Sequence, residues 1–309
     1  MRRLVTIVLG LWWAAALGLL LLRWWDAGGL VPILQSGLPL VGLSLLPLLV
    51  LALLARAWLL VLATCLLAVP MTLLAAPWWL EDGTATPSSD DVVVLSLNTL
   101  YGEASLPDVE DAVARLDVDA LVLTEVTPAF EKTLDDGGIP QTLPHRSGQA
   151  RQDAGGTLVL TAQPHEPVSV PAPTLFDQVA VQIEGVQGPW TLLAAHPPPP
   201  VLSREWRTEL PVLGSWVDAQ AEATPLVLAG DLNASTAQPA YRDAFGELTD
   251  AHRVVGAGWV RTWPRGTWLP PFTHLDHVLV RGVGVVAAGE ITVDGTDHQA
   301  VWSRLSIGQ

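Results

Sequence analysis

Six apolar runs in this 309-residue chain lead into residues that can hold a cation or move a proton. They give Leu97-Asn98, Thr124-Glu125, Ala195-His196, Gly230-Asp231-Leu232-Asn233, Leu275-Asp276-His277 and Asp297-His298. Glu and Asp carboxylates with Asn carbonyls are hard oxygen donors, suited to Mg²⁺ or Mn²⁺. Histidines such as His196 and His298 can shuttle protons or hold a developing oxyanion. An aspartate beside a histidine, as Asp276 and Asp297 supply, can fix its tautomer and stabilise the imidazolium. Taken singly, each has an ordinary structural explanation. Asn98 reads as a turn residue, Glu125 as a solvated group at a helix start, and His196 as a loop residue ahead of Pro197 to Pro200. Their joint recurrence after apolar runs is what those explanations do not cover.

The elements that must position these groups are legible from pattern. Asp91 to Asn98 and Asp119 to Glu125 are β-branched and apolar, as buried strands are. Strands are also predicted over 155–160, 178–183, 190–196, 225–231, 274–280 and 298–305. Val109, Ala112, Val113 and Leu116 fall at helical spacing behind Pro107, which predicts a helix over 107–116. Further helices are predicted over 128–134, 204–221 and around 239–255. Strands and helices alternate at first, then strands cluster, which implies an α/β domain with mixed sheets. Polar residues at such strand ends converge on the rim of a sheet, where α/β sites form.

The segment from Met1 to Leu80 is different. Its charged residues are Arg2, Arg3, Arg23, Arg56 and Asp26. Three apolar stretches stand out, over 4–22, about 30–54 and about 57–80. Each approaches the length of roughly 20 residues that crosses a hydrocarbon core. Tryptophans cluster near their ends, as at a membrane interface. A cleaved signal peptide is the alternative for the first stretch. With three crossings, Arg2, Arg3 and Arg56 share one side, so the basic-residue rule places them in the cytoplasm and everything after Leu80 outside. Residues 1–80 are thus expected to be a membrane anchor, 81–90 a linker and 91–309 a catalytic domain.

The whole chain holds 16 basic and 31 acidic residues. Removing four arginines and one aspartate leaves 12 basic and 30 acidic beyond Leu80, a charge of about −18. A field of that sign repels polyanions at long range. Lys132 is the only lysine, and no basic footprint of a nucleic-acid binder is visible. Cys65 is the one cysteine, which excludes an intramolecular disulfide and a cysteine-based zinc site.

From Asp91 to Leu305 the chain resembles the endonuclease/exonuclease/phosphatase superfamily. The matching segments are Ser96-Leu97-Asn98, Leu123-Thr124-Glu125, Gly155-Gly156-Thr157, Ala195-His196, Gly230-Asp231-Leu232-Asn233, Leu275-Asp276-His277 and Thr296-Asp297-His298, in the family's order. The resemblance implies a four-layer α/β sandwich with two central mixed sheets. It implies Glu125 as principal metal ligand, with Asn98 and Asp297 near the same ion. It implies Asp231 to orient or deprotonate water, Asn233 to hold phosphate or a ligand water, and His298 to contact the scissile phosphate. Asp276 would orient His298, and His196 would be the second active-site histidine. Two departures stand out: Thr124 where Gln often precedes the glutamate, and Thr161-Ala162-Gln163 where Ser-Arg or Ser-Lys is common.

The family spans several substrates, so the fold does not choose among nucleic acid, phospholipid head group and cell-envelope phosphodiester. The acidic charge disfavours a tight duplex binder. Arg146, Arg151, Arg204, Arg207, Arg261 and Arg265 are the candidates for a local basic patch. Trp259, Trp263 and Trp268 read either as a substrate- or membrane-facing loop or as packing. A catalytically silent membrane-anchored scaffold is the competing class. No protein partner is inferable.

Overall fold

The structure is a computed structural model that describes residues 2–170 and 174–308. The terminal residues Met1 and Gln309, included in the expected anchor and catalytic segments, lie outside that description. The described residues of the apolar first part form four α-helices, α1 (Arg2–Leu22), α2 (Leu30–Ser36), α3 (Leu38–Leu54) and α4 (Trp58–Ala75), the last continued by a short 3-10 turn over Ala76–Trp78. Two spans, Arg3–Leu22 and Trp58–Trp78, are long and apolar enough to cross a membrane. The middle stretch is not one straight helix: α2 and α3 meet at a 53° bend, and count as a third span only if taken together. The break falls at Gly37-Leu38-Pro39, where proline lacks the N–H that would continue the helix above it. Leu9, Leu45, Leu48 and Leu67 pack inside this bundle. Leu4, Leu11 and Leu59 stay exposed, as lipid-facing side chains would be.

Residues 81–90 form no helix or strand, yet they are not free. The Asp82 N–H donates to Val254 O (2.8 Å) and the Ala85 N–H to Val285 O (2.7 Å).

Next come β1 (Val92–Asn98), α5 (Leu106–Leu116), β2 (Ala120–Thr124), α6 (Pro128–Asp136), α7 (Ile139–Thr142), β3 (His145–Gln149), β4 (Thr157–Thr161) and β5 (His165–Val168). After them the chain forms β6 (Val179–Gly185), β7 (Gly188–Ala194), α8 (Ser203–Ala219), β8 (Leu226–Asp231), α9 (Pro239–Phe245), β9 (Thr249–Asp250) and α10 (Ala251–Val254). It closes with β10 (Asp276–Arg281), β11 (Val283–Ile291) and β12 (Ala300–Ile307). Two six-stranded mixed sheets result, ordered β11-β12-β1-β2-β4-β3 and β5-β6-β7-β8-β10-β9.

Strand alternation explains the layers. On β1, Val93, Leu95 and Leu97 face outward and pack with Val109, Ala112 and Val113 of α5. Val94 faces inward and joins Val122, Val181, Leu192, Val227 and Val278 in the core between the sheets. On the far side, Leu193 and Leu228 meet Trp206, Leu210 and Leu213 of α8. The order is helix, sheet, sheet, helix. Strands covered on both faces must be apolar throughout, which is why they read as unbroken runs.

Several sequence boundaries shift. The predicted closing strands over 274–280 and 298–305 start later, at Asp276 and Ala300. The single helical region around 239–255 is two short helices separated by β9. The exposed strands β3 and β5 and the half-exposed β11 escaped prediction because charged and glycine residues interrupt their alternation.

Candidate active site

Chain direction brings the site together. β1 and β2 run parallel, so Asn98 and Glu125 leave the same rim. β12 runs antiparallel to β1, so Asp297 and His298 enter at that rim. In the second sheet, β7 and β8 run parallel and β10 antiparallel to β8, which sets His196, Asp231 and Asp276 at one end. The two rims meet where Asn98 Nδ2 donates to Glu125 Oε1 and to Asp231 Oδ2, both at 3.0 Å.

Local backbone choices serve this convergence. Glu125 and Asn233 sit in the left-handed region, with positive φ angles of 57° and 47°. That conformation costs a non-glycine residue on the order of 1–3 kcal/mol. Glu125 is held there by Thr99, whose hydroxyl donates to both Thr124 O (2.8 Å) and Glu125 O (2.9 Å) in alternative contacts. The Tyr101 N–H also donates to Glu125 Oε2 at 3.1 Å. Asn233 is held by its own N–H on Asp231 Oδ1 (2.8 Å) and by Nδ2 on Pro197 O (3.0 Å). At Gly230 a Cβ would lie 1.9 Å from Ala195 O. Only glycine therefore lets β8 approach the end of β7 that carries His196.

His298 is clamped. Its Nδ1 lies 2.7 Å from Asp276 Oδ2, and its Nε2 faces Asp231 Oδ2 at 3.7 Å and Asp297 Oδ1 at 3.8 Å. Burial would lower its pKa, but Asp276 and Asp231 outweigh that and push it up to about 10, because nearby negative charge favours the protonated ring. His196 is the opposite case. Burial drops its pKa to about 4, and its Nε2 stands 4.0 Å from Glu125 Oε1 and 3.9 Å from Asp231 Oδ2. Burial also raises Glu125, partly offset by the Asn98 hydrogen bond. It raises Asp231 too, against the pull of His298. The site thus holds one imidazole pushed toward its protonated form and one pushed toward its neutral form, while burial disfavours ionisation of Glu125 and Asp231.

These observations bear on a cation. Two carboxylates share one amide donor, and buried Asp276 Oδ1 has no hydrogen-bond partner. The donor set is rich in oxygen, which fits a hard divalent ion. Donor atoms of Asp231, Asp276 and His298 also lie within 4.8 Å of one another. The short Asp276–His298 hydrogen bond makes that trio a proton-holding arrangement. Asn98 turns its amide nitrogen to the acids, while Oδ1 accepts from the Leu100 N–H (2.9 Å).

The eight residues given site roles lie at this rim, whereas His277, marked beside Asp276, meets Asp250 instead. Three supporting residues carried too little signal to be assigned roles. Trp263 Nε1 donates to Asp297 Oδ2 (3.0 Å). Thr296 Oγ1 donates to Asn98 O (2.7 Å). Gln178 grips the His196 backbone, accepting its N–H (2.8 Å) and donating to its carbonyl (2.9 Å). Thr296 and Trp263 lie in segments already marked, but Gln178 reads as an unremarkable strand residue.

The arginines do not form a patch at the site. Arg146 pairs with Asp135 and Glu131, Arg151 with Asp153 and Asp177, and Arg207 with Asp26. Arg204 is exposed on α8. Arg261 lies over the Trp259 ring, and Arg265 alone reaches the site's backbone, donating from its guanidinium to the carbonyls of Val293 (2.5 Å) and His298 (3.3 Å) and from its N–H to Asp297 O (2.7 Å). Of the tryptophans, Trp263 packs and bonds at the site, whereas Trp268 is 94% exposed.

Residues 95–298 match the endonuclease/exonuclease/phosphatase family, and the chain belongs to it. It is accordingly a metal-dependent phosphoester hydrolase by class. No curated protein matches by sequence. Among solved structures, TDP2 of D. rerio complexed with single strand DNA product is similar, with TM-score 0.58, 16% identity, and 71% of this chain and 100% of that one covered. A conserved protein of Enterococcus faecalis V583 gives TM-score 0.55 at 13% identity, covering 71% and 100%. An endonuclease/exonuclease/phosphatase from Beutenbergia cavernae DSM 12333 gives 0.53 at 20%, covering 71% and 72%. At these identities the likeness is one of fold.

Proposed function

We propose that the chain is a membrane-anchored phosphodiesterase acting on a nucleic-acid, phospholipid head-group or cell-envelope substrate at the outer face of the membrane. Residues 1–80 would be the anchor, 81–90 the linker and 91–309 the catalytic domain. The observation that carries the reading is the meeting of Glu125, Asp231 and His298 from two different sheets around the Asn98 amide.

Glu125 and Asp297 would hold Mg²⁺ or Mn²⁺, with Asn98 fixing Glu125 or turning its oxygen to the ion. The bound cation supplies charge neutralisation at the phosphoryl group. Asp231 orients a water and takes its proton as the water oxygen bonds to phosphorus. Burial has raised the pKa of this carboxylate, which makes it the better base. His298, protonated and steadied by Asp276, faces the phosphate and gives a proton to the departing oxygen as the P–O bond breaks. Asn233 binds a phosphate oxygen, and neutral His196 contributes a further polar contact.

A substrate presented at the membrane surface is favoured by the loop after Asn233. Gln238 Nε2 donates to Pro32 O (2.9 Å) and Ser36 Oγ (2.8 Å) of α2, and Ala237 packs in the helical bundle. The site's own loop therefore rests on the apolar helices.

The purified full chain should turn over bis-p-nitrophenyl phosphate with Mg²⁺ or Mn²⁺. A panel of DNA, RNA, sphingomyelin, phosphoinositides and nucleotides then ranks the substrates. Absence of turnover with every divalent ion, together with absence of metal binding, would establish the silent scaffold instead.

A further inference from the structure

A second polar cluster lies away from the catalytic rim, at the junction of β9, α10 and the segment entering β10. Asp250 caps α10, its Oδ1 accepting the His252 N–H at 2.9 Å. Asp250 and His252 are buried, and the His274 side chain is 10% exposed. Donor atoms of all three lie within 4.8 Å of one another.

The protons cannot be arranged so that these groups satisfy each other without a cation or an extra proton. His252 Nε2 lies 3.2 Å from Gly289 O. That carbonyl is a pure acceptor, so Nε2 carries a proton. In the neutral ring, Nδ1 then offers a lone pair. That lone pair stands 3.6 Å from Asp250 Oδ1, another acceptor. His274 Nε2 lies 4.0 Å from Asp250 Oδ2. Both nitrogens, His252 Nδ1 and His274 Nε2, are buried with no hydrogen-bond partner. Buried nitrogens left without a partner are costly.

We propose that Asp250, His252 and His274 form a structural site for a borderline divalent transition ion of the Zn²⁺ class. Imidazole and carboxylate donors suit that ion. Metal–ligand bonds of about 2.0–2.1 Å in a tetrahedron put donors about 3.3 Å apart. His252 Nδ1 stands 3.6 Å from Asp250 Oδ1 and His274 Nε2 4.0 Å from Asp250 Oδ2, so an ion between the rings would draw them in and take either oxygen of the carboxylate. The surroundings are those of a supported site. His277 Nδ1 lies 2.8 Å from Asp250 Oδ2, and its Nε2 lies 3.0 Å from Ala234 O. The Trp78 ring meets His274 edge-on at 5.4 Å, and the Gly258 N–H donates to Trp78 O (2.6 Å). The ion would staple β9 and α10 to the strand that carries Asp276, beside the end of the last apolar helix. The site is independent of Glu125 and of any catalytic assignment.

The test is metal content and coordination of the full chain in detergent. After loading with Zn²⁺ and dialysis against metal-free buffer, the Glu125→Gln protein, weakened at the catalytic cation, should keep about one equivalent. His252→Gln and His274→Gln, made in that background and checked for folding by circular dichroism, should each lose it. Co²⁺ loaded into the Glu125→Gln protein should give the intense visible bands of a four-coordinate ion. Full zinc retention by both histidine variants, or only the weak spectrum of six-coordinate cobalt, would overturn the site. So would a Glu125→Gln protein that holds no zinc, which would leave a shared proton as the occupant.

Discussion

Asp276 Oδ2 lies 2.7 Å from His298 Nδ1, and both side chains are buried. The charge of Asp276 is a main reason His298 is pushed up to about 10. Asp276→Asn keeps an acceptor but removes that charge. We expect the His298 pKa to fall and kcat to drop on the order of 10²–10⁴-fold. NMR titration of the imidazole and steady-state kinetics check both. An unchanged His298 titration would show that Asp276 does not set its charge.

Burial raises the Glu125 carboxyl, so in the absence of a cation its ionised form is a cost to the fold at neutral pH. Glu125→Gln should weaken Mg²⁺ or Mn²⁺ binding and slow turnover. In EDTA the variant should melt no lower than the wild type. A metal titration identical to wild type would remove Glu125 from the ligand set.

Among the described residues, Asp231 is the acid whose carboxylate pairs with both His196 (3.9 Å) and His298 (3.7 Å) through one oxygen. Asp231→Asn removes the proposed base while keeping the acceptor for the Asn233 N–H. Turnover should fall on the order of 10²–10⁴-fold, with circular dichroism unchanged. Near-normal kcat would reassign the base.

Glu209 tests the pH logic away from the site. Its Oε1 accepts the Leu175 N–H at 2.7 Å, while buried Oε2 has no partner. Burial raises this carboxyl above its ordinary value. The folded state therefore binds its proton more tightly than the unfolded chain does. Its favourable contribution is full below the unfolded pKa and is lost as pH rises through the higher folded pKa. Glu209→Gln should raise the melting temperature at pH 7, and the gain should shrink on acidification towards pH 4. A gain that does not change with pH would refute the linkage.

The membrane reading makes a prediction of its own. With three crossings, a reporter fused after Gln309 should be active outside the cytoplasm and silent inside. The 53° break between α2 and α3 makes this informative, because two crossings would reverse the result.

The sequence displayed the buried parts well and the exposed parts poorly. Strands such as Val92–Asn98 and Leu226–Asp231 are covered on both faces, so composition alone marked them. The candidate residues Asn98, Glu125 and Asp231 were legible because they end or directly follow such strands. The sequence could not show that Asn98 would present nitrogen to two acids, since that depends on a rotamer fixed by the Leu100 N–H. Nor could it show the Asp250–His252–His274 cluster: Asp250 and His252 fall inside the helical region predicted around 239–255, and nothing in the pattern links them to His274 at the start of a predicted strand. By sequence Trp263 reads as packing or as part of a substrate- or membrane-facing loop. Its bond to Asp297 is set by a fold-back, in which the Trp263 carbonyl accepts from the Phe272 N–H at 3.0 Å and from the Thr273 N–H at 3.1 Å.

The placement of β12 between β11 and β1 has a consequence for synthesis. β1 emerges early, yet its partner on one side is the final strand, far along the chain. Until β12 has been made, β1 keeps an apolar strand with one open edge, a surface on which nascent chains stick together. His298 arrives on the same closing segment. A chain interrupted before that segment would therefore lack both the second partner of β1 and His298, so the covered edge and the proposed site would be completed together.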